Sequence, residues 1–453
     1  MVLGLGLAPL ADNSFLTHLA TGRLIIDLGH IPTTDPYTFT AHGADWVVQS
    51  WLVSLLFGGA DRLAGGDGVR VVVGLLMVAV FAVAWRLSRP AEGLLVRVAI
   101  GALVVGVATQ EWSERPLLVG LLALGLTVLA GEGDLDPRWL LPLAWVWVNS
   151  HGSFPLGVAY LVVVALGRRL DHLDASVELR CLRWLGAGVL LGAVNPLGPR
   201  LLLFPLKLLQ HQDVLRKVTE WQAPAFQDAG ERIFLLQVIV AILAVVRRPR
   251  YRNALVVAVF LAAALLGARN VAVASLVLVP VLADAWPSVG SLRSATRDGL
   301  ARLVALAGVA GAVAVVVVQL GQPAYALEAY PMRSLRQIDR LQIDLEDVRL
   351  ASIDRVGNLL ELREGPGRRV FFDDRFDMFP DRVAEEAFDL TLGRPSSLGI
   401  LDRGEIDLVL WPRAASLSTV LGASVSWRSL YDGDEDWVLM CRVGIQLSPD
   451  LTC

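Results

Sequence analysis

Apolar residues along this chain fall into runs, Val71 to Ala84, Gly101 to Ala108, Ile239 to Val246, Ala254 to Gly267 and Leu303 to Leu320, each bounded by arginine, proline or polar residues. That layout predicts a polytopic α-helical membrane protein. Arginines cluster at Arg86, Arg89 and Arg97, at Arg168, Arg169, Arg180 and Arg183, at Arg247, Arg248, Arg250 and Arg252, and at Arg293, Arg297 and Arg302. By the positive-inside rule these four regions are cytoplasmic. The alternation closes only if 46–63 does not span, so that stretch reads as a re-entrant or interfacial helix, interrupted by Gln49, Ser50 and Ser54 and followed by Gly58, Gly59, Asp61 and Arg62. The expected spans are 1–11 (partial), 69–86, 94–109, 116–131, 138–149, 154–167, 182–195, 233–246, 253–267, 270–286 and 303–320, about eleven transmembrane helices. Met1 to Leu10 would make a helix of only about 15 Å, half the hydrocarbon thickness. No basic n-region or small-residue cleavage site marks it as a signal peptide. It reads as the end of a first helix that begins before this chain does.

Two domains follow: a transmembrane domain over 1–320, with an external first loop at 12–45, and an extracytoplasmic soluble α/β domain over 321–453. In the second, β-type runs at Arg369 to Phe372, Ile406 to Leu410 and Trp437 to Met440 alternate with a helical stretch from Asp381 to Leu392. No internal repeat is evident. Composition agrees with a membrane protein: of 453 residues 55% are hydrophobic and 19% charged, and the mean hydropathy is +0.56, against about 45–50% apolar and 25% charged in soluble domains. A net charge of −4 offers no basic field for nucleic acid. The wealth of arginine, alanine, valine and glycine points to a GC-rich bacterial genome. Cys181, Cys441 and Cys453 are too scattered for a metal knuckle or a disulfide framework. Cys441 and Cys453 could pair in an oxidising compartment, but a strand-core cysteine and a frayed terminal one is the expectation.

Chemistry concentrates in the non-cytoplasmic turns. Asp12 stands directly at the end of a membrane helix, followed by His18 and then by Asp35 before Pro36. A carboxylate at the edge of a low-dielectric slab suits a general base. The plainer reading of Asp12 is a helix N-cap, and of Asp35 a turn opener. The other external groups are Glu111, Glu114 and Arg115, then Asn149, His151 and Ser153, then Glu220, and then Arg269 with Asn270. Such turns converging at one end of a bundle form a cavity roof in which arginines hold phosphate while carboxylates and amides orient hydroxyls; singly, each is a solvated turn. The acidic run Asp432 to Asp436 has part of a calcium-loop pattern without its full spacing, and a hairpin turn explains it equally.

These residues carry a resemblance. The pattern D-x5-H-L-x-T-G-R, then G-x-I-P-x-x-D-P-Y-T-F-T, W-x4-W-L, E-R-P-L-L, W-x-N-x-H-G-S-F-x-L-G, N-P-x-G, E-W-x-A-P-x-F, A-R-N and the run Val370 to Asp377 resembles a bacterial family of multispanning membrane proteins. That family is related to GT-C glycosyltransferases, whose wider relatives include protein O-mannosyltransferases, aminoarabinose transferases and oligosaccharyltransferases. The resemblance implies a GT-C-like fold and transfer of a sugar from a polyprenyl-phosphate donor, usually with inversion, to a glycan, lipid or protein acceptor on the outer face of the cytoplasmic membrane. It implies Asp12 as base or acceptor-positioning carboxylate and Arg115 or Arg269 on the carrier phosphate. His18, Asp35, Glu111, Glu114, Asn149, His151 and Glu220 become contacts to sugar and acceptor. The family usually has aromatic residues just after this aspartate, where this chain has Asn13, Ser14 and Phe15. No acidic pair suited to a divalent metal stands in the outer turns, so no metal or other cofactor is expected. The alternative is a non-catalytic membrane protein that binds, moves or scaffolds lipid-linked envelope glycans.

Overall fold

The computed structural model describes residues 1–91, 93–210, 215–286 and 310–453, without the side chains of Glu111 and Leu209. Its helices are α1 (Val2–Gly6), α2 (Asn13–Leu28), α3 (Trp51–Leu87), α4 (Leu94–Glu111), α5 (Leu117–Gly131), α6 (Leu140–Val148), α7 (Pro155–Leu170), α8 (Ser176–Leu191), α9 (Arg200–Gln210), α10 (Ala229–Arg247) and α11 (Tyr251–Leu266). They continue as α12 (Ala268–Ala285) and α13 (Ala310–Leu320), then α14 (Met332–Arg340), α15 (Asp354–Glu364), α16 (Asp381–Leu392), α17 (Ser397–Arg403) and α18 (Ser416–Gly422). The chain divides into a first unit, Met1–Leu10, Gln49–Pro205 and Val218–Ala324, and a second, Ala11–Val48, Leu206–Lys217 and Tyr325–Cys453. Residues 11–48, grouped in sequence with the transmembrane domain, therefore fold with the C-terminal segment.

Among the described residues of the first unit, α3, α10 and α12 are long and apolar enough to cross a membrane, and α4, α5, α11 and α13 are shorter apolar helices. Three arginine clusters gather at one end of this bundle. Arg86 pairs with Asp134, Arg252 with Glu132, and Arg248 and Arg250 with Asp284. Asp171, past the end of α7, accepts the backbone N–H groups of Tyr251 and Arg252 and so caps α11. The fourth cluster, Arg293 to Arg302, and most of the expected span 303–320 before Ala310, lie outside the described residues. At the opposite end Trp51 Nε1 donates to Asn149 Oδ1 at 2.9 Å, and Gly230 N donates to Gln110 Oε1.

The interrupted stretch that opens at residue 46 in sequence becomes helical only at Trp51, and α3 is one helix only in name. Ala64 (φ −146°, ψ 21°) and Gly65 (φ 60°, ψ −155°) break it. The Gly65 conformation is essentially closed to side-chain-bearing residues, so the glycine fixes the kink. Beyond it the fully buried Arg70 donates from Nε to Leu7 O at 2.8 Å and from Nη1 to Gln322 O at 3.2 Å, and its Nη2 reaches the carbonyls of Leu7 and Gln319. One guanidinium thus satisfies the orphan carbonyls ending α1 and α13, beside the backbone bond from Leu10 N to Ala324 O at 2.8 Å.

The second unit is built on a four-stranded sheet, β1 (Leu350–Ser352), β2 (Leu408–Pro412), β3 (Trp427–Tyr431) and β4 (Trp437–Arg442), in the order β1-β2-β4-β3. β1 and β2 are parallel and the other pairs antiparallel. α15 packs on α2, burying Val356, Leu359 and Leu360. Two expectations are corrected. Arg369 to Phe372 is not a strand of the sheet; Val370 forms a single parallel bridge with Thr38. Asp35 takes the N–H groups of Tyr37 and Thr38 into its own side chain, and Pro36 has none to give, so the ladder does not extend. Cys441 and Cys453 are not an isolated pair: they form a disulfide, Cα to Cα 6.0 Å. The acidic run is the β3–β4 hairpin turn, where Asp434 Oδ2 accepts Ser334 N and Oγ, both at 2.9 Å, and so ties down the first turn of α14. A two-stranded ribbon, β5 (Gln446–Ser448) and β6 (Leu451–Thr452), ends the chain.

Candidate functional site

Asp12 occupies the N-cap position of α2, but its side chain makes no capping bond to the helix. The residues after it are tied to α15 and to the segment following it. Asn13 Nδ2 donates to Asp354 Oδ2 at 3.2 Å, and Ser14 Oγ donates to Asp374 Oδ2. Asn358 Nδ2 donates to Asn13 O while its Oδ1 accepts Asp374 N, both at 3.1 Å. Burial pushes the Tyr330 hydroxyl up to about 12; Arg355 opposes the rise, and Asp12, Asp354 and Asp374 add to it. Burial likewise raises the Asp354 carboxyl. Asp12 is therefore one of three carboxylates gathered around Tyr330, with the Arg355 guanidinium carbon 5.8 Å from that ring's centre. Among the described residues no three His, Cys, Asp or Glu side chains are placed to share a metal ion.

A second, sealed cluster lies deeper in the same unit. Arg375 Nη2 lies 2.8 Å from Asp35 Oδ1, 2.6 Å from Asp373 Oδ2 and 3.0 Å from Glu361 Oε1, and its guanidinium carbon is 4.5 Å from the Trp46 ring centre. Asp35, Glu361, Asp373 and Arg375 are all buried. Burial raises the Glu361 carboxyl well above its usual range; Arg375 works against the rise and Asp373 with it. Burial works against the Arg375 charge, and Asp373, Glu361 and Asp35 more than offset it. Asp35, expected to meet substrate, is instead this clamp's anchor in the first loop.

In the first unit the turns expected to be external form two groups. Arg115 pairs with Glu220, both partly exposed, and the Arg269 guanidinium carbon lies 4.1 Å above the Trp221 ring. The charges of Glu220 and Arg115 both act on Arg269. The segment 219–222 and the start of α12 are joined by Ala268 N donating to Gln222 O at 2.8 Å. Arg115, Glu220 and Arg269 form a partly open charged group. In the other group, Trp147 Nε1 donates to Ser153 Oγ at 3.0 Å, and that hydroxyl lies 2.8 Å from His151 Nδ1. Ser153 N also donates to His151 Nδ1, at 3.2 Å. With Nδ1 as acceptor, this network assigns the proton of a neutral His151 to Nε2, which becomes a donor. Asn149 is fully buried, holding Trp51 through Oδ1 and Trp145 O through Nδ2, so it braces α3 and α6.

Of the other expected residues, His18 is half-buried in α2 and Glu114 half-buried between α4 and α5. The Glu111 side chain lies outside the described residues. The sequence reading missed Arg70, Glu361 and Asp354, and gave Trp221, inside its E-W-x-A-P-x-F motif, no role of its own. Asp373 to Arg375 were within its motifs, but the partners that tie them to the first loop, Asp35 for Arg375 and Ser14 for Asp374, are more than 300 positions away in the chain.

No protein-family profile matches the chain, and no curated protein matches it in sequence. Among solved structures, it is similar to the apo crystal structure of an oligosaccharyltransferase from Archaeoglobus fulgidus, with a TM-score of 0.52 at 12% identity over 88% of this chain and 65% of that one. It also matches the archaeal oligosaccharyltransferase AglB from the same organism in complex with an inhibitory peptide and a dolichol-phosphate, with a TM-score of 0.48 at 12% identity over 89% and 65% of the two chains. The chain thus spans 65% of the length of each, and what it shares with the apo enzyme is the fold.

Proposed function

We propose that the protein is a membrane glycosyltransferase that moves a sugar from a polyprenyl-phosphate-linked donor to an acceptor on the outer face of the cytoplasmic membrane. The observation that carries this reading is the Arg115, Glu220, Arg269 and Trp221 group at the end of the bundle away from the arginine clusters. A phosphate taking the place of Glu220 on Arg115, within the electrostatic reach of Arg269, would gain charge-assisted hydrogen bonds from the guanidinium groups. In the transfer, the acceptor's nucleophile bonds to the anomeric carbon as the bond to the phosphate oxygen breaks. Asp12 takes or steers the acceptor's proton, and the departing phosphate keeps its electron pair against the arginines. Neutralising that charge is where such a site lowers the barrier most. His151, donating from Nε2, and Glu114 are assigned to sugar hydroxyls. The shared fold supports the reading, although one fold hosts many chemistries. The Cys441–Cys453 disulfide supports an oxidising, extracytoplasmic setting for the second unit.

Release of labelled carrier phosphate from polyprenyl-phosphate sugars in native-like membranes tests this. Arg115→Gln and Arg269→Gln are expected to lower turnover on the order of 10²-fold or more, as for other preorganised charge-stabilising groups. Glu220→Gln should tighten carrier binding. Release that is indifferent to both arginines would remove the site. The second reading, a non-catalytic protein that binds or scaffolds lipid-linked glycans, rests on the same group and predicts binding without release.

A further inference from the structure

α14 is a two-faced helix. Ser334, Leu335 and Ile338 are buried, while Arg333, Arg336 and Arg340 are exposed. At about 100° per residue the three arginines fall within an arc of roughly 60°, diametrically opposite the buried residues. Their charges are not answered. Several exposed arginines elsewhere in residues 325–453 meet carboxylates, Arg349 with Glu405, Arg382 and Arg403 with Glu386, Arg394 with Asp389, and Arg413 with Asp432, whereas α14 gathers three that do not on one face. On α14 the contact described is from Arg333 to a backbone carbonyl, Gly433 O at 3.3 Å, and neither Arg336 nor Arg340 has a carboxylate partner among the described residues. Asp339, the helix's own acid, is taken by Arg363. Only residues 321–331 separate α14 from the end of apolar α13, a tether of at most about 40 Å.

We infer that the Arg333, Arg336 and Arg340 face of α14 is a docking surface for anionic lipid headgroups. The chemistry fits: an outward row of guanidinium groups able to fork onto phosphates, on a helix whose inner face is buried and which a short stretch of chain joins to an apolar helix. Each such charge near an anionic surface favours attachment about fivefold, so the three together favour it about 100-fold at low salt. Headgroup attachment is screened by salt, whereas the ion pairs elsewhere in the unit hold both partners on the protein. The inference does not depend on the transferase reading.

The test is hydrogen exchange of the peptide covering 329–342 in the full chain, in nanodiscs of phosphatidylcholine alone or with phosphatidylglycerol. In wild type, exchange slows when phosphatidylglycerol is present, and the slowing disappears at high salt. Replacing Arg333, Arg336 and Arg340 together by Gln abolishes it while β2 and β4 keep their protection. Should the triple variant lose protection in β2 and β4, Arg336→Gln and Arg340→Gln singly carry the test, each reducing the effect about fivefold. Equal exchange of wild type in the two lipids overturns the inference. So does slowing that survives the substitutions, or the same slowing produced by inorganic phosphate in phosphatidylcholine discs, which would mark an ion site.

Discussion

Glu361→Gln tests the buried clamp by its pH dependence. Three carboxylates share one guanidinium in a site closed to water, and burial raises the Glu361 carboxyl well above its ordinary range. A carboxyl whose pKa is higher folded than unfolded binds more protons when folded. The stability it contributes is therefore fully present below the unfolded pKa of about 4.5 and declines as pH rises toward the folded value. Within that window one proton is at stake, so the slope is about −1.4 kcal/mol per pH unit. Glutamine cannot ionise and keeps the shape, so Glu361→Gln removes this slope, and its advantage over wild type grows by the same amount per unit. The assay is urea-dependent hydrogen exchange of β2 and β4 in the full chain at pH 5, 6 and 7, corrected for intrinsic exchange. A wild type whose second unit is equally stable at all three values would refute the reasoning. So would a Gln variant that is less stable at pH 7, because the carboxylate would then be favourable as an ion.

Three further outcomes follow from packing and covalent structure. Arg375→Met leaves buried carboxylates without their cation, so the second unit should lose on the order of 3–5 kcal/mol, read as a lowered urea midpoint of β2 and β4. A Cβ on Gly357 would stand 1.9 Å from Phe372 O, so Gly357→Ala should force α15 off that backbone and cost several kcal/mol; exchange in α10 and α11 should be unaffected. Cys453→Ser opens a disulfide with a sequence separation of 12, worth about 3 kcal/mol by loop entropy. Alkylation of wild type should add two labels only after reduction, apart from Cys181, whereas in the variant Cys441 is labelled without reduction once the unit is unfolded.

The legible parts of this chain were those governed by nearby residues. The helix Asp381–Leu392 is bounded in structure where its sequence stops, between Pro380 and Gly393, the latter at φ 60°. The β3–β4 hairpin likewise follows from alternation around a polar turn. Membrane character was legible from apolar runs, whereas the expected short spans are not resolved by helix length: α6 is Leu140–Val148, too short to cross alone. What failed depended on distant partners. Arg369 to Phe372 has strand composition, but its pairing chance lay with Tyr37 and Thr38, whose N–H groups Asp35 had taken. Asp35 and Asn149 looked like ligand contacts because polar groups in external turns offer no local sign that a buried arginine or an indole will use them. The placement of Asp12 was legible from the end of an apolar run; the company of Asp354 and Asp374 was not.

Transfer of a labelled sugar from polyprenyl-phosphate donors to acceptor in native-like membranes, compared between wild type and Asp12→Asn, tests the central claim most directly. The account predicts transfer by wild type, and a loss of about 10²–10⁴-fold in the variant with unchanged exchange protection in α2 and α15. Transfer that proceeds equally with asparagine at this position, or a wild type that binds donors across a full panel and transfers none, would contradict it.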